Sequence, residues 1–95
     1  MSTTRHENLY VEAGPGGVMT DEVGVVTGEL DVVTEARPDG LAAVRVRYSE
    51  ADEWYVMTGA PVPVPPEGGL AALHAEVLRR VRAGDAAEAP RRADP

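Results

Sequence analysis

The chain contains no cysteine, lysine, isoleucine, phenylalanine or glutamine, and only two histidines. Without cysteine there can be no disulfide, no thiolate zinc site and no cysteine nucleophile, a composition that fits a reducing compartment. The missing Lys, Ile and Phe, whose codons are AT-rich, point with the abundant Ala, Gly, Arg, Val and Pro to a high-GC bacterial genome. No apolar run approaches the roughly 20 residues that span a bilayer. Met1 to Asn8 is polar and lacks the apolar core of a signal peptide, so the cytoplasm is the expected location.

What remains is enough for one domain. The 95 residues are 43% hydrophobic and 26% charged, ordinary for a globular protein. A chain of this length buries only about 60–65% of the surface its unfolded form exposes, so its stability margin is thin. The net charge of −7 is unevenly spread: residues 1–65 hold four arginines against eleven acids, whereas residues 66–95 hold five of each. A field of that sign repels nucleic acid and anionic membranes, and neither is expected as a partner.

Residues 1–7 read as a disordered leader, 8–84 as a single domain and 85–95 as a disordered tail. The expected fold class is α+β, an antiparallel β-meander of about four strands with one C-terminal amphipathic helix packed on one face. Leu9 to Ala13 has the aromatic and β-branched content of a short strand, which Gly14-Pro15-Gly16-Gly17 ends. Val23 to Arg37 is the longest strand-like stretch, with Gly24 and Gly28 as bends or bulges. Val26, Leu30, Val32 and Thr34 share one parity, and Glu29, Asp31 and Glu35 the other, the period of a half-buried strand.

Arg37-Pro38-Asp39-Gly40-Leu41 carries the strongest local signal. Pro presets φ for a turn, Asp tolerates the second corner, and Gly takes the left-handed position that closes a three-residue hairpin loop. That loop fixes a register in which Leu30 meets Tyr48, Val32 meets Val46 and Thr34 meets Val44 on one face. Asp31 then faces Arg47, and Val33 faces Arg45, on the other. Ser49 to Glu53 reads as a polar loop, after which Trp54 to Gly59 returns as a strand. Pairing Tyr48 with Trp54 would set Tyr55 beside Arg47 and Met57 beside Arg45 on the outer face.

Ala60 to Pro66 carries four prolines, prefers an extended conformation and cannot form a central strand. Leu70, Leu73, Val77, Leu78 and Val81 recur at three- and four-residue steps, the stripe of an amphipathic helix over Leu70 to Ala83. Arg79, Arg80 and Arg82 complement its negative end and Gly84 its C-terminus.

No arrangement of residues carries recognisable chemistry. His6 falls in the expected leader, and His74 lies at the edge of the helical stripe, where a partly buried histidine is expected rather than a general base. Scattered carboxylates and two distant histidines make no metal site. The loop acids Glu50, Asp52 and Glu53 lack the glycine and spacing of a calcium loop. Gly14 to Gly17 precedes no Lys-Ser/Thr, which leaves phosphate binding unsupported. No catalytic residue, cofactor or metal ligand is assigned.

A four-stranded meander is roughly 19 Å wide and a helix about 10 Å, so one helix covers about half of one face. Either the sheet curls around the helix or apolar area stays open. The outer face of the expected register gathers Val33, Arg45, Arg47, Tyr55 and Met57, an interface-like mixture. The expected function is therefore a small acidic, non-enzymatic protein-interaction module of the adaptor, inhibitor or immunity type. It would act through that surface on a protein partner or by self-association as a homodimer. An acidic regulator occupying a basic, nucleic-acid-binding surface of another protein is the second expectation, and a small ligand-binding or hydrolytic domain the third.

Overall fold

The hairpin forms as its turn residues dictate. Gly40 takes a φ of 84°, its N–H donates to Arg37 O at 3.2 Å, and the Arg37 N–H donates to Leu41 O at 2.7 Å. The Asp39 carboxylate accepts the Leu41 N–H at 3.1 Å, closing the turn from the side chain. In the computed structural model, which describes residues 4–90, the two strands are β4 (Glu29–Ala36) and β5 (Leu41–Tyr48). Their register matches the expected one at every pair from Leu30↔Tyr48 to Glu35↔Ala43.

Around this hairpin the chain builds an antiparallel sheet and one helix, the α+β arrangement expected, though with more strands. The others are β1 (Arg5–Glu12), β2 (Val18–Thr20), β3 (Gly24–Val26), β6 (Tyr55–Val56) and β7 (Val62–Pro63), and the helix is α1 (Gly69–Ala83). The main sheet runs β1-β4-β5-β6, with β7 also paired to β5, and β2 and β3 form a second small sheet. The stretch expected as one strand from Val23 to Arg37 is thus broken at Thr27-Gly28, where Gly28 has a φ of 88°. The break turns β3 out of the main sheet so that it pairs with β2.

That second sheet is how the molecule covers its inner face. Thr20 bridges Met57, the Thr58 N–H donates to Met19 O at 3.0 Å, and the Asp21 N–H donates to Val56 O at 3.0 Å. β2 therefore lies along the outer edge of β6, and the strands curl about Val18, Val26, Leu30, Val32, Val44, Val46 and Met57. α1 closes the remaining side with Leu70, Leu73, Val77 and Val81, the stripe read from the sequence.

The described chain ends correct two expectations. Residues 5–7, placed in a disordered leader, are strand: Arg5 pairs with Glu35, His6 with Thr34 and Glu7 with Val33. Polar residues suit this position because β1 is an edge strand with one face open to water. Residues 85–90, placed in a disordered tail, are docked. The Ala87 N–H donates to Gly17 O and the Ala89 N–H to Thr58 O, while Ala87 O accepts from the Met19 N–H. Small alanines allow the close approach, and Ala87 and Ala89 join the core. Residues 1–3 and 91–95, also assigned to the leader and tail, lie outside the described residues.

The glycine-rich segment after β1 now has a steric reason. The Gly14 N–H donates to Val81 O and the Asp85 N–H to Pro15 O, so this loop crosses the C-terminus of α1 backbone to backbone. A Cβ on Gly14 would collide with the Arg82 and Ala83 main chain, and one on Gly84 with Gly14 and Pro15. The proline-rich connector contributes only the two-residue β7 alongside β5, consistent with proline's lack of an N–H donor.

Candidate protein-contact site

The expected surface of Val33, Arg45, Arg47, Tyr55 and Met57 does not assemble. Arg45 pairs with Val56 and Val46 with Tyr55, one residue away from the expected register, so β6 presents its opposite faces. Met57 is wholly buried at 0% exposure, and Tyr55 packs half-buried against the core. Val33 does lie on the outer face but is only 2% exposed, a short side chain in a row between Glu7 and Arg45. Arg45 and Arg47 remain on the outer face, each partly exposed. The non-local partner of Met57 decides the slip, because Thr20 on β2 holds it inward.

In place of that patch, the outer face is organised around Asp31. Its buried carboxylate accepts from Arg47 Nε at 2.9 Å, Ser49 Oγ at 2.9 Å and the Tyr10 N–H at 3.1 Å. Burial alone would raise its pKa. The hydrogen bonds from Arg47, Tyr10 and Ser49, with the charge of Arg47, outweigh that and hold the carboxyl below its usual range. The stability from this group is therefore present above the ordinary carboxylate pKa and lost as pH falls through the lowered folded value. The Arg47 guanidinium lies 4.4 Å from the centre of the Trp54 ring, whereas the expected register set Tyr55 beside it.

Tyr10 reaches this site because β1 bulges. Asn8 pairs with Val32 and Val11 with Leu30, leaving Leu9 and Tyr10 together opposite Asp31. Tyr10 has a φ of 55°. Its N–H is the group Asp31 captures, and its hydroxyl donates to Glu50 at 3.1 Å. Leu9 and Tyr10 are each 52% exposed. The three consecutive residues Leu9-Tyr10-Val11 break the two-residue period, which is the one trace of the bulge in the sequence.

All four aromatic residues, one Trp and three Tyr, gather at this end of the sheet. Tyr10 touches the loop through Glu50, and Trp54 stacks on Arg47. The Tyr55 hydroxyl donates to Glu53 at 3.0 Å, and Tyr48 and Glu22 lie close enough to influence its ionisation. The phenols of Tyr10 and Tyr55 are both pushed up, chiefly by their hydrogen bonds to Glu50 and Glu53. Exposed acids crowd the same end. Glu12 and Glu29 are cross-strand neighbours on the outer face, and Glu22, Glu50, Asp52 and Glu53 are exposed in the adjoining loops.

The histidines form a separate, inward-facing cluster. Asn8 Oδ1 can only accept, so His74 Nε2 carries the proton and donates to it at 2.8 Å; Nδ1 then accepts from Thr34 Oγ1, also at 2.8 Å. His6 stacks on His74 with ring centres 5.4 Å apart. Burial, then the nearby His6, lowers the pKa of His74. Both ring nitrogens are thus engaged by structural partners, as a boundary histidine requires.

Among the described residues no group of three or more His, Asp or Glu side chains is placed to hold a metal ion, and no helix is long and apolar enough to cross a membrane. A hollow lined by Arg37, Ala43, Arg45, Val56 and Pro61 holds ≈ 110 Å³, below the roughly 300 Å³ at which small-molecule pockets begin, and a shallow, open one lined by Arg79, Arg80, Gly84, Asp85 and Glu88 holds ≈ 410 Å³. Comparison with family models, with curated proteins and with solved structures gives no match for the chain.

Proposed function

We propose that the protein is a small interaction module whose aromatic and acidic sheet end binds an arginine- or lysine-rich segment of a partner protein. The observation that carries this reading is the pairing of Glu12 with Glu29. They are two exposed carboxylates directly opposed across β1 and β4, beside the exposed ring of Tyr10. Like charges in that position destabilise a sheet, and a cation between them would relieve the repulsion. Tyr10 offers a ring face to the same cation. The Asp31–Arg47–Trp54 contacts fix the neighbouring surface before any partner arrives, which lowers the ordering cost of binding. Basic surfaces that bind nucleic acid have this chemistry, so a regulator that occupies such a surface is one form the module would take.

The test is a titration of a fluorescent arginine-rich peptide against the full chain, with a neutral peptide of equal length as control. Binding should weaken as salt is added. The double variant Glu12→Gln/Glu29→Gln should raise Kd about fivefold to tenfold, as expected for losing two partly screened ion pairs. The pair Glu67→Gln/Asp85→Asn removes the same charge from exposed positions elsewhere and should change Kd little. Equal weakening by both double variants would reduce the effect to net charge and overturn the site.

A further inference from the structure

β1 is an edge strand, and its bonding parity leaves a short ladder open. The Ala36 N–H donates to Thr4 O at 2.8 Å, so residues 4, 6 and 8 turn their main-chain groups toward β4. The N–H and C=O of Arg5 and Glu7 therefore point away from the sheet. Thr4, Arg5, Glu7 and Asn8 are exposed, and α1 packs on the inner face rather than over this edge. Natural edges are blunted by prolines, bulges or inward charges. The bulge at Leu9-Tyr10 protects only the far half of β1.

We propose that β1 pairs antiparallel with β1 of a second copy of the chain, about a two-fold axis passing beside His6. Charge selects this occupant and this register. With the axis at His6, Arg5 faces Glu7 of the other copy and Glu7 faces Arg5, both through main-chain groups that already point outward. An axis at Arg5 would oppose two arginines, and an axis at Glu7 two glutamates, each a like-charge pair. Within one chain Arg5 and Glu7 lie 3.5 Å apart, so the joined edges form an alternating square of four charges. The ladder is isologous, with residues 4–8 of each copy taking part. It extends about 17 Å and belongs with transient interfaces that bury less than about 1,200 Å². The acidic end near Glu12 lies beyond the ladder and stays open in both copies, so this inference stands apart from the peptide-binding reading.

Sedimentation equilibrium of the full chain up to ~1 mM tests it, over the range in which a weak dimer is populated. The wild type should show a concentration-dependent dimer. Arg5→Glu and Glu7→Arg should each raise the dimer Kd about tenfold or more, since each places like charges opposite one another twice. The swap Arg5→Glu/Glu7→Arg should restore association. Glu7→Pro removes an N–H that β4 does not use and should give a monomer whose circular dichroism matches the wild type. A wild type that stays monomeric throughout, or a dimer unmoved by the single variants, overturns the proposal. Peptide binding measured on the same variants should be unchanged, which separates failure here from failure of the proposed function.

Discussion

Among the described residues His74 is the one buried histidine, and its surroundings settle the direction of its pH effect. Both nitrogens are satisfied in the neutral ring, with Asn8 accepting from Nε2 and Thr34 donating to Nδ1. A second proton would need the Thr34 hydroxyl, on a fully buried residue, to reverse its role. Desolvation, then His6, lowers the pKa. Between that lowered value and the unfolded value of about 6.5, the unfolded chain holds a proton that the folded chain does not. The stability from the neutral ring is therefore complete above the unfolded pKa and is lost as pH falls from there toward the folded one. Urea denaturation at several pH values should give a wild type that weakens from about pH 7.5 to 5.5. His74→Leu should lose that part of the slope while being less stable throughout by about 1–3 kcal/mol, for the hydroxyl of Thr34 left without a partner. Parallel pH profiles would show that His74 does not titrate in this range.

At the scale of elements, two glycines with different reasons for being glycine separate local strain from steric approach. Gly40 has a φ of 84° with open space where a Cβ would stand, so Gly40→Ala should cost only the left-handed penalty of about 1–2 kcal/mol. Gly14 lies against the Arg82 and Ala83 main chain, and Gly14→Ala must push the loop off the end of α1. A loss of about 3 kcal/mol or more is expected there. Thermal or urea unfolding of the two variants checks the order, and equal losses would mean that the crossing yields without cost. The hairpin turn at Gly40 was legible because its chemistry is local, residues 37–41 deciding the register of β4 and β5. The helix was legible for the same reason, its stripe lying within fifteen residues. The register of β6 was not, because what seats Met57 inward is Thr20, thirty-seven positions earlier in the chain. The contact surface failed with it. Tyr55 and Met57 turned inward, while Tyr10 came outward through a bulge that the sequence marks only by a broken period.

At the scale of the whole molecule, residues 85–89 return to the segment 15–19 and to Thr58. After α1 the backbone passes through Asp85 and Ala86, both with positive φ, and then runs beside β2. Ala86 and Ala87 donate to Gly16 and Gly17, Ala87 accepts from Met19, and Ala89 donates to Thr58. These bonds tie the glycine-rich loop, β2 and the segment after β6 to the end of the helix. They do so at a place where alanine and proline composition alone reads as disorder, since composition reports how much a segment can bury and not whether a groove of matching backbone awaits it. Ending the chain after Asp85 should therefore unfold much of a thin stability margin. Several buried main-chain groups would lose partners, and Val18 would lose its neighbour Ala87. A loss of about 3 kcal/mol or more is expected against a total of about 5–10 kcal/mol. The shortened chain and the single variant Ala89→Asp, which places a charge where the side chain is 1% exposed, should both shift the urea midpoint downward. A shortened chain with an unchanged midpoint would mean that the docked segment contributes nothing to the fold; a shift in the shortened chain without one in Ala89→Asp would place the contribution in the backbone ladder at Ala86 and Ala87 rather than in the burial of Ala89.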